Sequence, residues 1–221
     1  MTIHYTKLDG QLSECAGSPS GFYCAIGKRC LDLALIFLAL PMVVPLVAML
    51  ALLIMRDGSN PFYCQMRLGR KGQVYKIWKL RTMVADAEGL LEAHLASDPQ
   101  ARAEWNHTQK LKHDPRITRF GMFLRKTSLD ELPQLWNVIK GDMSLVGPRP
   151  MMLDQRTLYP GLYYETMRPG ITGPWQVSAR NNSSFVERAD FDTYYYAHVS
   201  LMTDLLLLFA TIRVVLRGTG H

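Results

Sequence analysis

The stretch that decides the architecture is Leu33-Ala-Leu-Ile-Phe-Leu-Ala-Leu-Pro41-Met-Val-Val-Pro45-Leu-Val-Ala-Met-Leu-Ala-Leu-Leu-Ile-Met55, 23 residues without a charged or strongly polar side chain. As a helix it extends roughly 35 Å, enough to cross a hydrocarbon core. Arg56-Asp57-Gly58 follows directly, with no small-residue cleavage site, so the stretch reads as a retained membrane element and not a signal peptide. Pro41 and Pro45 each remove a backbone donor and crowd the preceding turn, so the helix is expected to kink strongly or break in mid-membrane. Two topologies follow. A Pro-kinked single span puts the two ends on opposite sides of the bilayer. A helix bent at Pro41 or Pro45 returns both ends to one face, and this re-entrant form is the preferred reading.

On the amino-terminal side, Lys28-Arg29 opens the apolar run and Asp32 follows one turn later, while residues 1–23 are polar, mix Gly, Ser and Pro, and read as a loosely ordered tail. On the other side, Asp57-Gly-Ser-Asn-Pro61 is a turn cluster. Phe62-Tyr-Cys-Gln65 and Gln73-Val-Tyr-Lys-Ile-Trp78 then read as strands of a small hairpin around Gly69 and Gly72. Residues 84–110 read as helical with a break at Asp98-Pro99. Thr118 to Lys126 mixes apolar and basic residues as a helix at a membrane surface does. The last apolar run, Val199 to Leu216, is interrupted by Asp204 and Arg213 and reads as an interfacial or packed helix, not a second span. The expected fold is α/β: a small helix-rich domain with a short β-hairpin over residues 57–221, anchored by a Pro-broken membrane helix over residues 24–56 and by interfacial amphipathic helices.

The formal charge of +6 suits a polyanionic partner such as nucleic acid, anionic lipid or a diphosphate. Nucleic acid is disfavoured, because the basic residues lie beside membrane-facing apolar ones and no known nucleic-acid module is present. Cys15, Cys24, Cys30 and Cys64 form neither a CxxC pair nor a disulfide framework, which suits reduced thiols at a cytoplasmic face. No Walker loop, GxSxG elbow or HExxH motif occurs.

The chemistry concentrates in Lys126-Thr-Ser-Leu-Asp-Glu-Leu-Pro-Gln-Leu-Trp-Asn-Val-Ile-Lys-Gly141, a short helix with start and stop signals. Gly141 suits its carboxyl-terminal cap. Ser128 with Glu131 forms a capping-box pattern, and Asp130 is itself a candidate N-cap, so capping alone accounts for all three. The same geometry also suits catalysis. A carboxylate at a helix start stays ionised near phosphate, and beside Mg²⁺ it can attack phosphorus to give an acyl phosphate. Arg149, between Pro148 and Pro150, and the loops carrying Arg168 and Arg180 hold guanidinium groups on Gly/Pro turns suited to diphosphate oxygens. Lys79 and Arg81, at a strand end after Trp78, are weaker candidates.

Taken in order, Lys28-Arg29, Asp32, Pro45, Gln65-Met-Arg-Leu-Gly69, Lys79-Leu-Arg-Thr-Met83, Asp114-Pro-Arg-Ile-Thr-Arg119, Ser128-Leu-Asp-Glu-Leu-Pro-Gln-Leu-Trp-Asn137, Gly141-Asp-Met-Ser-Leu-Val-Gly-Pro-Arg-Pro150 and Arg168-Pro-Gly-Ile-Thr-Gly173 closely resemble the bacterial sugar transferases, the monotopic polyprenyl-phosphate phosphoglycosyl transferases. The resemblance runs from about residue 25 to 219. It implies a re-entrant helix broken at Pro45 and a catalytic domain on the cytoplasmic face of the bacterial inner membrane. It implies that Asp130 is the nucleophile on the sugar-bearing phosphate, releasing UMP, with Mg²⁺ held by Asp130 and Glu131 and with Glu131 either binding metal or activating the lipid phosphate. It further implies that Arg149 and Arg180 hold phosphate, that Arg125 lies near the lipid phosphate, and that Lys79, Arg81 and Asp142 belong to the substrate site. The partners would be a UDP-sugar, undecaprenyl phosphate and membrane lipids, with a second copy of the chain and downstream glycosyltransferases beyond them.

Gly173-Pro-Trp-Gln-Val-Ser-Ala-Arg-Asn181 is most similar to members that begin exopolysaccharide or O-antigen synthesis with galactose or glucose, which leans the donor toward UDP-galactose or UDP-glucose. Val44, Pro174 and Ala179 depart from the family pattern, where serine, Trp or Leu, and glycine are usual. Two other readings stand beside this one. A membrane-anchored basic lipid-binding protein would tolerate Asp130→Asn, and a single-span phosphohydrolase would give free sugar phosphate without a lipid product.

Overall fold

The computed structural model describes residues 21–108, 111, 113–178 and 185–216; nearly all of the amino-terminal tail, and Arg180 with Ala179, lie outside the described residues. A π-helical turn, Tyr23–Gly27, leads into α1, Lys28–Ile54. Among the described residues this is the one helix long and apolar enough to cross a membrane. Its buried residues Asp32, Ile36, Val43, Leu50 and Ile54 recur at helical spacing and form one stripe. Phe37, Leu38, Met42, Met49 and Leu52 are exposed on the rest of its surface. Ile36 and Leu40 pack with Tyr75, Ile77, Val138 and Met143, whereas Leu46, Val47, Leu50, Ala51 and Ile54 pack with Leu80, Phe120, Leu124 and Leu129. Both halves of α1 therefore supply core to the same domain, each fully buried Leu or Ile contributing about 1.5–3 kcal/mol.

The helical assignment runs unbroken through Pro41 and Pro45, so the expected break is not found. The missing N–H groups fall on the carbonyls of Phe37 and Pro41. Phe37, Pro41 and Pro45 all lie on the exposed face. On that face the unpaired carbonyls are not enclosed by the domain, so the two prolines are accommodated without interrupting the packed stripe.

Three polar ties fix the amino-terminal half of α1. Arg29 donates to the carbonyls of Val138 at 2.5 Å and Ile139 at 2.8 Å, a cation at the carboxyl end of a short helix. Asp32 accepts from Ser144 Oγ at 2.8 Å and from Leu145 N–H at 3.1 Å. Lys28 Nζ lies 2.6 Å from the buried Asp204 carboxylate, which also accepts from the Tyr23 and Tyr195 hydroxyls.

The hairpin forms as read: β1 (Phe62–Leu68) pairs antiparallel with β2 (Val74–Leu80), in register from Phe62 opposite Leu80 to Leu68 opposite Val74. The helical region divides at Asp98 into α2 (Ala87–Ser97) and α3 (Pro99–Thr108). The Asp98 carboxylate caps α3 by accepting from the N–H groups of Gln100 and Ala101. Next come α4 (Arg119–Thr127), capped by Thr118, and α5 (Gln134–Lys140), closed by Gly141 at φ +91°. A second two-stranded sheet pairs β3 (Ser144–Val146) parallel with β4 (Gly170–Thr172). It is followed by α6 (Pro174–Ser178), α7 (Arg188–His198) and α8 (Leu201–Leu216). On α4, Met122 and Phe123 are exposed; on α8, Met202, Leu206, Phe209 and Ile212 are exposed while Asp204 and Leu207 point inward. Cys24, Cys30 and Cys64 are free thiols.

The capping box at Ser128 is not formed. Ser128 takes the left-handed conformation, φ +57°, and its N–H closes the end of α4 on the carbonyls of Leu124 and Arg125. An N-cap residue needs extended backbone to turn its side chain onto the next helix, which this conformation prevents. Leu129–Glu131 forms a separate 3₁₀ turn, and α5 begins only after Pro133.

Candidate active site

Asp130 and Glu131 sit on that 3₁₀ turn, between the carboxyl end of α4 and the start of α5. Leu129 beside them packs into the cluster formed by the second half of α1, so the apolar helix lies directly behind the pair. Leu80 of β2 belongs to the same cluster, which anchors the strand end that carries Lys79.

Lys79 Nζ lies 2.7 Å from Glu131 Oε1 and 3.8 Å from Asp130 Oδ2. Asp130 is 8% exposed, and burial is the main cause that pushes its carboxyl up to about 6; Glu131 adds to the rise, and Lys79 and Arg125 oppose it. The group is thus poised a little below neutrality, buried yet ionised at pH 7.5.

Arg125, in the last turn of α4, donates from Nε to Thr82 Oγ1 at 2.8 Å, and burial lowers its pKa against the pull of Asp130 and Asp114. Thr82 is held in turn by α4: its carbonyl accepts from Thr118 N–H at 3.1 Å, and a Cβ on Gly121 would stand 2.0 Å from that oxygen. Glycine is required by this approach. Arg81 lies with Leu53, Ile54, Arg56, Met83, Thr118 and Phe120 around a groove of about 310 Å³, so that two arginines and four large apolar residues share its lining.

Asn137, fully buried in α5, ties the carboxylate turn to β2. Its amide accepts from Trp78 N–H at 3.2 Å and donates to the Lys76 carbonyl at 2.7 Å and to Asp142 at 3.1 Å. Asp142 also pairs with Lys140 at 2.8 Å, so its carboxylate is engaged within the Gly141 turn.

Arg149 follows β3 on a rigid Gly147-Pro148 turn. Gly147 N–H donates to the Thr172 carbonyl and Gly170 N–H to the Pro148 carbonyl, both at 2.8 Å. A Cβ on Gly147 would stand 2.4 Å from the Arg168 carbonyl, so this approach too admits only glycine. The Arg149 guanidinium lies over the Trp175 ring at 5.5 Å, and that of Arg188 at 5.3 Å. Arg188 also donates to the Arg149 carbonyl at 2.7 Å, and Arg67 to the Pro150 carbonyl at 3.5 Å. Burial lowers the pKa of both Arg67 and Arg188, Arg149 lowers them further, and Asp192 opposes this at Arg188. Three arginines thus gather at one turn. Sequence reading selected Arg149 but not Arg188; an arginine opening an otherwise unremarkable helix gave no signal. Arg180 lies outside the described residues.

Among the described residues no group of three or more His, Cys, Asp and Glu converges on one point. Mg²⁺, however, is commonly held by one or two carboxylates and completed by substrate phosphate oxygens and water. Asp130 and Glu131 fit an ion of that kind and not a free-standing protein site.

Residues 23–218 match the family described as bacterial sugar transferase. A UDP-galactose-lipid carrier transferase of Erwinia amylovora is 48% identical over 195 residues, covering 87% of this chain and 41% of that protein. The undecaprenyl-phosphate galactose phosphotransferase of Salmonella typhimurium is 47% identical over 195 residues, with the same coverage. The exopolysaccharide production protein ExoY of Sinorhizobium fredii is 44% identical over 198 residues, covering 88% of each chain. The chain thus spans about two-fifths of the length of the first two and nearly all of the third.

Proposed function

The chain belongs to the bacterial sugar transferase family, and from that premise we propose that it transfers a sugar-1-phosphate from a UDP-sugar, UDP-galactose or UDP-glucose, to undecaprenyl phosphate. One observation supports the reading: a buried carboxylate has Lys79 and Arg125 beside it and an apolar helix behind it, an arrangement suited to a charged donor and a lipid acceptor. In the first step an Asp130 oxygen attacks the sugar-bearing phosphorus, the bond to the bridging oxygen breaks, and UMP leaves. In the second a lipid phosphate oxygen attacks the same phosphorus and the Asp130 carboxylate is restored.

Arg149, positioned by Trp175 and Arg188, binds the donor diphosphate, with Arg180 as a further phosphate ligand. Arg125 screens the approaching lipid phosphate. The lipid enters along the groove between Ile54, Phe120 and Arg81, whose walls share Ile54 and Phe120 with the cluster behind Leu129. Bound Mg²⁺ would supply charge neutralisation on the diphosphate. Residues 24–56 enter the bilayer from one face as a continuous helix fastened along its length to the domain, without the break at Pro45, assisted by the exposed apolar faces of α4 and α8, and residues 57–221 form the catalytic domain on the cytoplasmic face of the inner membrane. Attachment of both halves of α1 to one domain supports this topology.

The test is UMP release by purified protein in nanodiscs with UDP-galactose, UDP-glucose, Mg²⁺ and polyprenyl phosphate. Lipid-dependent release that falls by roughly 10³-fold or more in Asp130→Asn is expected. Undiminished release in that variant would remove Asp130 as nucleophile, and release of free sugar phosphate without lipid product would favour a phosphohydrolase.

A further inference from the structure

We propose that Lys79 locks the Asp130–Glu131 pair against divalent cations until the nucleotide diphosphate arrives, so that metal and donor enter the site together. The inference rests on the assignment of Asp130 and Glu131 as the metal-binding pair.

The lock follows from competition for the same oxygens. The Lys79 ammonium sits 2.7 Å from Glu131 and 3.8 Å from Asp130, within ion-pair reach of both carboxylates that a shared cation would need. With Lys79 in place two carboxylates face one cation, and the pair presents little surplus charge to a strongly hydrated Mg²⁺. The described residues bring no third carboxylate, imidazole or thiolate to offset the ion's dehydration. Metal alone is therefore held weakly.

A diphosphate changes both terms at once. Its oxygens offer the ammonium a second partner within reach of a flexible four-carbon stem, and they supply the ligands the protein lacks. The backbone of Lys79 stays fixed throughout: Leu80 is 2% exposed in the core behind it, and Trp78 N–H is held by Asn137. Only the side chain has to swing. The arrangement also keeps the nucleophilic oxygen of Asp130 from being tied up by metal when no donor is present.

The experiment titrates Mn²⁺, followed by electron paramagnetic resonance, into full-length protein in nanodiscs, with and without UDP, correcting for Mn²⁺ bound to free nucleotide. Wild type, Lys79→Met and Lys79→Arg are compared. Wild type should bind Mn²⁺ at least tenfold more tightly with UDP than without. Lys79→Met should bind Mn²⁺ without UDP at least tenfold more tightly than wild type, and Glu131→Gln in that background should abolish the gain. Lys79→Arg, which keeps the charge, should behave as wild type.

Equal affinity of Lys79→Met and Lys79→Arg for Mn²⁺ without UDP would overturn the lock, as would tight binding of Mn²⁺ to wild type alone. Because no turnover is needed, these results are separate from the UMP-release assay, whose failure would instead strike at the transferase reading.

Discussion

Asp130→Asn should abolish transfer and at the same time stabilise the fold. The folded protein holds the Asp130 carboxyl at about 6 against an ordinary value of 3.8, chiefly because burial penalises its charge. At 1.36 kcal/mol per unit, a rise of about two units corresponds to about 3 kcal/mol. The sign is that of a raised carboxyl. Below about pH 4 both folded and unfolded chains carry the proton and nothing is lost; between about 4 and 6 the unfolded chain ionises first and stability falls; above 6 the full penalty is present. The amide carries no charge and escapes the penalty. Unfolding of Asp130→Asn and wild type in matched micelles should therefore differ by about 2–3 kcal/mol at pH 8, or about 4–12 °C in midpoint for a chain of this size, and should converge at pH 4. Other carboxylates titrate alike in both proteins, so the difference isolates Asp130. An Asn variant no more stable than wild type at pH 8, or equally favoured at pH 4, would refute the reasoning.

Four further outcomes are expected. The wild-type rate should rise with pH through about 6, as the Asp130 carboxylate forms, in a stopped assay across pH 5–8. Arg188→Met should raise the KM for the UDP-sugar roughly tenfold with a smaller change in kcat, because the Arg149 turn loses its anchor; Arg188→Lys should restore part of the loss in the same kinetic comparison. Asn137→Ala strands Trp78 N–H and the Lys76 carbonyl and should destabilise by about 2–4 kcal/mol in denaturant unfolding. Gly121→Ala drives a methyl group onto the Thr82 carbonyl and should cost about 1–3 kcal/mol, with activity falling as Arg125 loses Thr82.

Local signals carried much of the fold. The Gly69–Gly72 hairpin, the Asp98-Pro99 helix break and the Gly141 cap all form where residue chemistry puts them, because each depends on neighbours within a few positions. The Ser128 capping box failed for the same reason: Ser128 followed by Glu131 is compatible with a helix start, but the left-handed turn that ends α4 claims Ser128 first. What stayed illegible was long-range. Lys28 meets Asp204 across 176 positions and Asp32 meets Ser144 across 112, and no periodicity announces such pairs. Asp204 read only as an interruption of an apolar helix; in the structure it is one of the points to which α1 is tied. The Asp130–Glu131 pair was visible as a motif, whereas Lys79 as its counter-ion required the end of β2 to be brought against the turn. The arginine gathering at Arg149 depended likewise on α7, which carries no motif of its own.

Because α1 supplies Ile36, Leu50, Ala51 and Ile54 to the core, its removal would leave Ile77, Leu80, Leu124 and Val138 uncovered. No water-soluble truncated version of the enzyme should be expected from this chain. The same dependence sets a timetable for biogenesis. Helix α1 leaves the ribosome ahead of the elements it is tied to: its partner for Arg29 follows 109 residues later and that for Lys28 176 residues later. On the proposed membrane placement, the bilayer would shelter the helix during that interval, and the domain would then condense onto a surface already at the membrane. On the proposed function, insertion would precede folding, and each newly made molecule would mature in the place where a lipid acceptor resides.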